Sequence, residues 1–494
     1  MNNLQPPHPI INYQSISDSN NMRSILFILF IFLQLGLFAN VDLPDALSDH
    51  MVLQQNTKVK LWGKANKKKL VKINVSWSKR TYHVRADKDG NWQVLIQTPE
   101  GSFTKHTITF KEGLTHKLED VLIGEVWFCS GQSNMEMPLK GFKNQPIEGG
   151  DSIIKNFESE EGFRMLTVKR NPQESPVEQC EGKWQVPSKQ NIANLSATAY
   201  FFAKHLKEKL NVPVGIINSS WGGSSVEGWL PKEIVQSYTD MDLNRSYAAD
   251  ENWKKPWIMY NGMLHPLRHY TIKGFCWYQG EGSTERYGTY EAKLTKMIQL
   301  WRNEWNLGDL PFFIVEIAPY NYDNGLNSAY LRTAQFNVAK KNNNVGIIGT
   351  NDLVSEQELN IIHPAKKKEI GMRLANYALM NTYNHSAIQA LSPSIASYLF
   401  RENAIVLYFD NLYDGIQPME NFTGFEIAGK DEVFYPAKAT LSEDRKTLRV
   451  EAPEVTQPLA VRYCFKNFQL GNVKNSAGLP LFGFSLVTSA AKAE

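Results

Sequence analysis

The chain has 494 residues, 42% of them apolar and 12% aromatic, which is material for several packed cores and not for a disordered polymer. Its 53 basic and 50 acidic residues leave a net charge of +3, a balance that gives no sign of a nucleic-acid or membrane-surface partner. The 4 cysteines are too few for a disulfide scaffold, and none stands in CxxC or Cys/His metal spacing, so neither a structural zinc nor another cofactor is expected.

Taken in chain order, residues 1–21 are polar and Asn/Ser-rich. Met22-Arg23 then leads into the apolar run Ile25 to Leu33, which closes near Leu37-Phe38-Ala39. One positive charge before a short apolar stretch is the grammar of a signal peptide cleaved before Asn40. Leader and signal are assigned to 1–39, and a true start at Met22 would explain the unusual leader. Export to the periplasm or the exterior follows. No cysteine succeeds the cleavage point, so no stable membrane anchor is expected after cleavage.

Residues 40–120 read as a β-sandwich. Lys58 to Trp62 and Val71 to Val75 alternate in polarity, and Asp89-Gly90-Asn91 turns the chain before Trp92 to Ile96. Over 121–384, strand-like runs alternate with helical ones, the pattern of an α/β layer on a parallel sheet. The strands are Glu125–Cys129, Val214–Asn218, Gly274–Tyr278, Phe312–Glu316 and Val345–Gly349. Ser196 can cap a helix over Ala197–Leu210, and another helix begins after Pro364. Residues 385–494 return to β. The runs Lys67 to Lys69 and Lys366 to Lys368 read as solvated charge. The aromatic load fits sugar stacking as well as large β cores.

Open α/β sheets carry their sites at the carboxyl ends of strands. Ser130-Gly131-Gln132-Ser133-Asn134 follows the first strand, and the glycine permits a sharp turn that exposes the Ser133 hydroxyl. Gly222-Gly223 and Gln279-Gly280-Glu281 end two other strands and offer amide donors for an oxyanion. A nucleophilic serine needs a base, and His363, in the loop before the second helix, is the best placed of 10 histidines.

Together these blocks resemble the sialate O-acetylesterases, carbohydrate esterases of the SGNH-hydrolase type related to acetylxylan esterases. The segment Glu125 to Leu139 is similar to their nucleophile block. Asn218 to Gly223, Tyr260 to Leu267, Trp277 to Glu281, Leu331 to Gln335, Ile362-His363-Pro364 and Arg373-Leu374-Ala375 look like further family blocks. So do Met51 to Gln55 and Gly478 to Leu481, and the likeness runs from about 45 to about 483. The resemblance implies a flavodoxin-like three-layer α/β/α catalytic domain with accessory β-sandwich domains. It implies Ser133 as nucleophile, His363 as general base and no metal. It also implies an oxyanion hole from the Ser133 amide, a Gly222 or Gly223 amide and the Gln279 side chain. The substrate it implies is an O-acetylated carbohydrate.

The sequence departs from the family at one point that matters. Many relatives carry an Asp two residues before the His, and the wider class carries one three residues before it. Here Ile361 and Asn360 stand at those positions. Asp352, Glu356, Glu358 and Asn360, or a backbone carbonyl, remain to orient His363. Arg332 and Glu281 are candidate substrate-binding groups. Asn351, in Gly349-Thr350-Asn351-Asp352, is a second possible oxyanion donor, ranked behind Gln279. Besides sialate O-acetylesterase, an acetylxylan or hemicellulose acetylesterase and a non-catalytic carbohydrate-binding protein stay open.

Overall fold

A computed structural model describes residues 41–488, so the expected leader and signal peptide over 1–39 lie outside the described residues. The central layer is a sheet built around β1 (Thr115–Gly131). The other strands are β2 (Phe163–Thr167), β3 (Trp184–Gln185), β4 (Val214–Ser220), β5 (Gly274–Tyr278), β6 (Phe312–Val315) and β7 (Val345–Ile348). Their order across the sheet is β7-β6-β5-β1-β4-β2-β3. All neighbours run parallel except β2 and β3. Chain order reverses on either side of β1, so the crevice at a topological switch point opens at its carboxyl end, between β4 and β5.

β1 is almost wholly apolar from Val121 on because both of its faces are covered. Trp127 and Cys129 face a core shared with Phe202 of helix α2 (Ala197–Leu210) and Leu374 of helix α5 (Lys367–Asn381). Val126 and Phe128 face the opposite core, with Trp301 of α3 (Tyr287–Trp305) and Leu331 of α4 (Asn327–Lys341). A helix α1 (Ser133–Glu136) of one turn follows β1 directly. The result is a three-layer α/β/α arrangement. The Ser196 hydroxyl caps α2 as its sequence predicts, accepting from the Ala199 N–H at 3.2 Å.

The amino-terminal strands do not form a detached unit. The first half of β1 pairs antiparallel with Ser102–Lys111, and its second half pairs with β4 and β5. One strand therefore passes from the β region into the central layer, across the boundary expected at 120. Val59, Leu61 and Ile73 belong to the same buried cluster as Phe128 and Trp301. The carboxyl-terminal strands have a core of their own around Ile405, Leu448, Val461 and Tyr463. Among the described residues no helix is long and apolar enough to cross a membrane.

Candidate active site

β1 ends at Gly131, whose φ is +136°. A Cβ there would stand 2.1 Å from the Tyr278 carbonyl oxygen, so only glycine lets β1 and β5 approach so closely before the turn. The Met135 and Glu136 N–H groups both donate to the Gln132 carbonyl, at 2.9 Å each, and close the single turn of α1. Ser133 opens that turn, and its own N–H has no acceptor among the described residues. The end of β4 lies alongside: Trp221 N–H donates to the Gly131 carbonyl at 3.1 Å. A Cβ placed on Gly222 would stand 3.3 Å from the Ser133 Cβ.

His363 arrives from the loop before α5. Its Nε2 lies 2.8 Å from the Ser133 Oγ, across 230 positions of sequence. The same loop is tied to α1 by Asn134, whose Nδ2 donates to the Ile362 carbonyl at 3.1 Å. On the far side of the ring, Nδ1 lies 2.5 Å from the Gln145 Oε1. Phe142 meets the imidazole edge-on at 5.0 Å.

Over residues 123–380 the sequence matches the family described as carbohydrate esterase, sialic acid-specific acetylesterase. The chain belongs to that family. Among its relatives, the sialate O-acetylesterase of Pongo abelii is 27% identical over 66% of this chain and 68% of its own length. The sialate O-acetylesterase of Homo sapiens is 28% identical over 60% of this chain and 61% of its own length. A solved carbohydrate acetylesterase from Xanthomonas citri superposes with a TM-score of 0.81, covering 91% of this chain and all of that one at 28% identity.

In this esterase several residues singled out by sequence take other places than expected. Gln279 is 0% exposed. Its Nε2 lies between the Gln132 Oε1 (3.2 Å), the Ser224 carbonyl (3.1 Å) and the Ser283 Oγ (3.1 Å), and its Oε1 accepts from Tyr290. With both amide hydrogens engaged it has none for an oxyanion. The rival donor Asn351 is buried elsewhere, with Nδ2 3.1 Å from the Cys464 Sγ. The Gly222 N–H donates to the Glu136 Oε2 at 2.7 Å, so a carboxylate of the protein sits on the expected oxyanion donor. Glu136 is held in turn by Arg170, at 2.7 and 3.1 Å, and the Arg170 guanidinium stands 5.5 Å from the Trp221 ring.

None of the groups expected to orient His363 does so. Asp352 is paired with Arg373 and Lys474. Glu358 caps its own short helix through Ser355 and accepts the Ala365 N–H. Glu356 is exposed, and Asn360, also exposed, accepts from Asn321. Arg332 is buried, and its Nη2 donates to the Cys464 and Lys466 carbonyls, so it braces the fold. Glu281 is buried as well, accepting from the Asn134 Nδ2 at 2.5 Å.

The largest departure from sequence expectation is Lys367. It reads as one of three solvated lysines, yet it is 0% exposed, with Nζ 2.5 Å from the Asn134 Oδ1 and over the Tyr278 ring. Burial lowers its pKa to about 7 against the pull of Glu281 and Glu358. Burial, and then the Lys367 charge, lower the pKa of His363 to about 4. The imidazole is therefore a free base at neutral pH, the state in which it can take a proton. Gln145 and Lys367 carry no motif signal; only the fold brings them to the site. Among the described residues no group of three or more His, Cys, Asp or Glu could hold a metal ion.

Proposed function

We propose that this carbohydrate O-acetylesterase works through Ser133 as nucleophile and His363 as base, and that its substrate is an O-acetylated sialic acid. The observation that carries the reading is the 2.8 Å contact between the Ser133 Oγ and the His363 Nε2. His363 Nε2 takes the hydroxyl proton as Ser133 Oγ attacks the acetyl carbonyl. The oxyanion meets the Ser133 N–H and the neighbouring glycine amides of Gly222 and Gly223, once Glu136 gives up the Gly222 N–H. The sugar hydroxyl leaves with the proton from His363 Nε2. Water, activated by the same nitrogen, then releases acetate from the acyl-serine.

A sialic acid differs from a neutral hemicellulose unit by its carboxylate. Gly223 forms part of a cavity of about 200 Å³ that is also lined by Arg245, Lys254, Arg286, Trp253 and Tyr247. Lys254 pairs with Glu251 and Arg286 with Glu227, while Arg245 has no ion-pair partner among the described residues. An exposed guanidinium with no ion pair, lying over the Tyr247 ring at 5.3 Å and beside aromatic rings that suit a sugar face, supports an anionic sugar. Export of the chain, expected from its amino-terminal sequence, would place it with such glycans.

Acetate release from O-acetylated sialosides, acetylated xylan and acetylated mannan tests the reading. Sialosides should be preferred, and Arg245→Ala should lower kcat/KM for them while leaving an aryl acetate untouched. Preference for acetylated xylan would reassign the substrate. Wild-type turnover by Ser133→Ala would overturn the mechanism.

A further inference from the structure

The base loop offers His363 no acid, yet its outward nitrogen is not free. Nδ1 lies 2.5 Å from the Gln145 Oε1, and the ring is part-buried there between Phe142 and the nucleophile turn. The segment that carries Gln145 is built to present it. Phe142 and Gln145 form a bridge through paired backbone hydrogen bonds of 3.0 Å. Gly141, at φ +74°, bends so tightly that a Cβ would stand 2.3 Å from the Gln145 carbonyl. The Glu148 N–H donates to the Ala365 carbonyl at 3.0 Å, fastening this segment to the loop of His363 itself.

We propose that Gln145 is the positioning residue that replaces the acid of a Ser-His-Asp triad: its side-chain carbonyl accepts the His363 Nδ1–H and so leaves Nε2 bare toward Ser133. The proposal rests on the reading of His363 as the base of Ser133. A carboxylate in this position does two things: it selects the tautomer and it stabilises the imidazolium. A neutral amide does the first fully and the second only through its dipole. If the amide were turned, its Nε2 would donate to Nδ1, and the proton would sit on His363 Nε2, where no proton can be taken from serine.

The difference has a pH signature. The charged group acting on the ring is Lys367, from α5, which disfavours the imidazolium; Glu281 and Glu358 act on Lys367 in turn. From its own segment Gln145 brings no charge, and the neighbouring Lys140, Lys143 and Glu148 side chains are exposed. The ring is thus buried beside a cation with no carboxylate in contact, and its pKa falls to about 4. The esterase should keep its base unprotonated well below neutral pH, where a carboxylate-paired histidine would begin to charge.

Kinetics of Gln145→Glu and Gln145→Ala on p-nitrophenyl acetate, from pH 4 to 8, test this. Gln145→Glu puts a negative charge on Nδ1–H and should move the acid limb of kcat/KM upward by about 1 to 3 pH units. Gln145→Ala should lose about tenfold or more in kcat, with KM little changed and no upward shift of the limb. A 15N-histidine spectrum of the wild-type chain, with His363 assigned by its loss in His363→Gln, should show the proton on Nδ1. A proton on Nε2, an acid limb unmoved by Gln145→Glu, or wild-type kcat in Gln145→Ala would overturn the proposal. The tautomer is read without turnover, so its failure is distinct from failure of the Ser133 mechanism, which Ser133→Ala reads.

Discussion

The Asn134 side chain donates to the Ile362 carbonyl at 3.1 Å, and this contact joins the residue after Ser133 to the residue before His363. The same amide donates to Glu281 and accepts from Lys367, so one buried side chain fixes the spacing of Ser133 and His363. Positioning of this kind matters because a small misplacement of reacting groups costs orders of magnitude in rate.

Asn134→Ala should therefore lower kcat on an aryl acetate by about 100-fold. It should also cost about 1–3 kcal/mol of stability, since Glu281 and Lys367 each lose a buried partner. Asn134→Asp keeps the volume but cannot donate to Ile362, and it should lose activity too. Steady-state kinetics beside thermal melts make the check. Full kcat in either variant would mean that the Ser133–His363 contact is held without Asn134.

Lys367 supplies a second test through pH. It is the cation that helps to depress the imidazole, so its removal must raise the His363 pKa. At the acid limb, near pH 4, Lys367 is itself fully charged, since its own pKa is about 7. Lys367→Met fills the buried space without charge and should move the acid limb of kcat/KM toward neutral pH. A limb at the wild-type position would show that the two groups do not interact across the site.

Gln279 separates a structural role from a chemical one. Its Nε2 faces Gln132, Ser224 and Ser283, and the Gln132 Oε1 also accepts the Gly280 and Gly282 N–H groups, at 3.2 and 3.0 Å. The pair thus clamps the ends of β1, β4 and β5 together. Gln279→Ala should cost about 1–3 kcal/mol of stability, lowering the melting temperature, and activity should fall with it. Asn351→Ala, remote from Ser133, should leave kcat within about twofold. A loss of kcat in Gln279→Ala with an unchanged melting temperature would restore it as an oxyanion donor.

The placement of Ser133 and His363 was legible because each is marked by local sequence. Ser133 follows an apolar strand and a glycine, and His363 stands before a helix and a proline, so both fall at strand ends or loops that the α/β pattern locates. The orienting group was not legible. Gln145 lies in a short irregular segment with no motif, and the bridge to Phe142, the bend at Gly141 and the tie of Glu148 to Ala365 hold it at the ring. Gln279 was located at a strand end, but the partners of its amide were not legible, because sequence places a backbone and not the direction of an amide. Lys367 was misread for a related reason. A run of three lysines is normally solvated, but at the start of α5 helical geometry turns the middle one inward to Asn134 while its neighbours stay less buried. The central strands were the easy part, since continuous apolar runs between turn signals admit few other readings.

A final prediction concerns the loop that carries Gly222 and Gly223. Just beyond it, Glu227 is 1% exposed and accepts from Arg286 at 2.9 Å and Lys293 at 2.8 Å; Lys293 also reaches Asp240. Burial alone would raise the Glu227 pKa, but the two cations hold it down to about 2. A carboxylate depressed on folding stabilises the native state fully above its unfolded pKa, near 4.5, and loses that contribution as pH falls toward about 2. Glu227→Gln leaves two cations facing Asp240 alone and should cost about 3–5 kcal/mol at pH 7. The gap between wild type and variant should narrow below pH 4.5 and nearly close at pH 2, where Glu227 is itself protonating. Urea midpoints of both chains across that range provide the measurement. A gap independent of pH would show that the loop behind the glycine pair is held by packing and not by this buried charge.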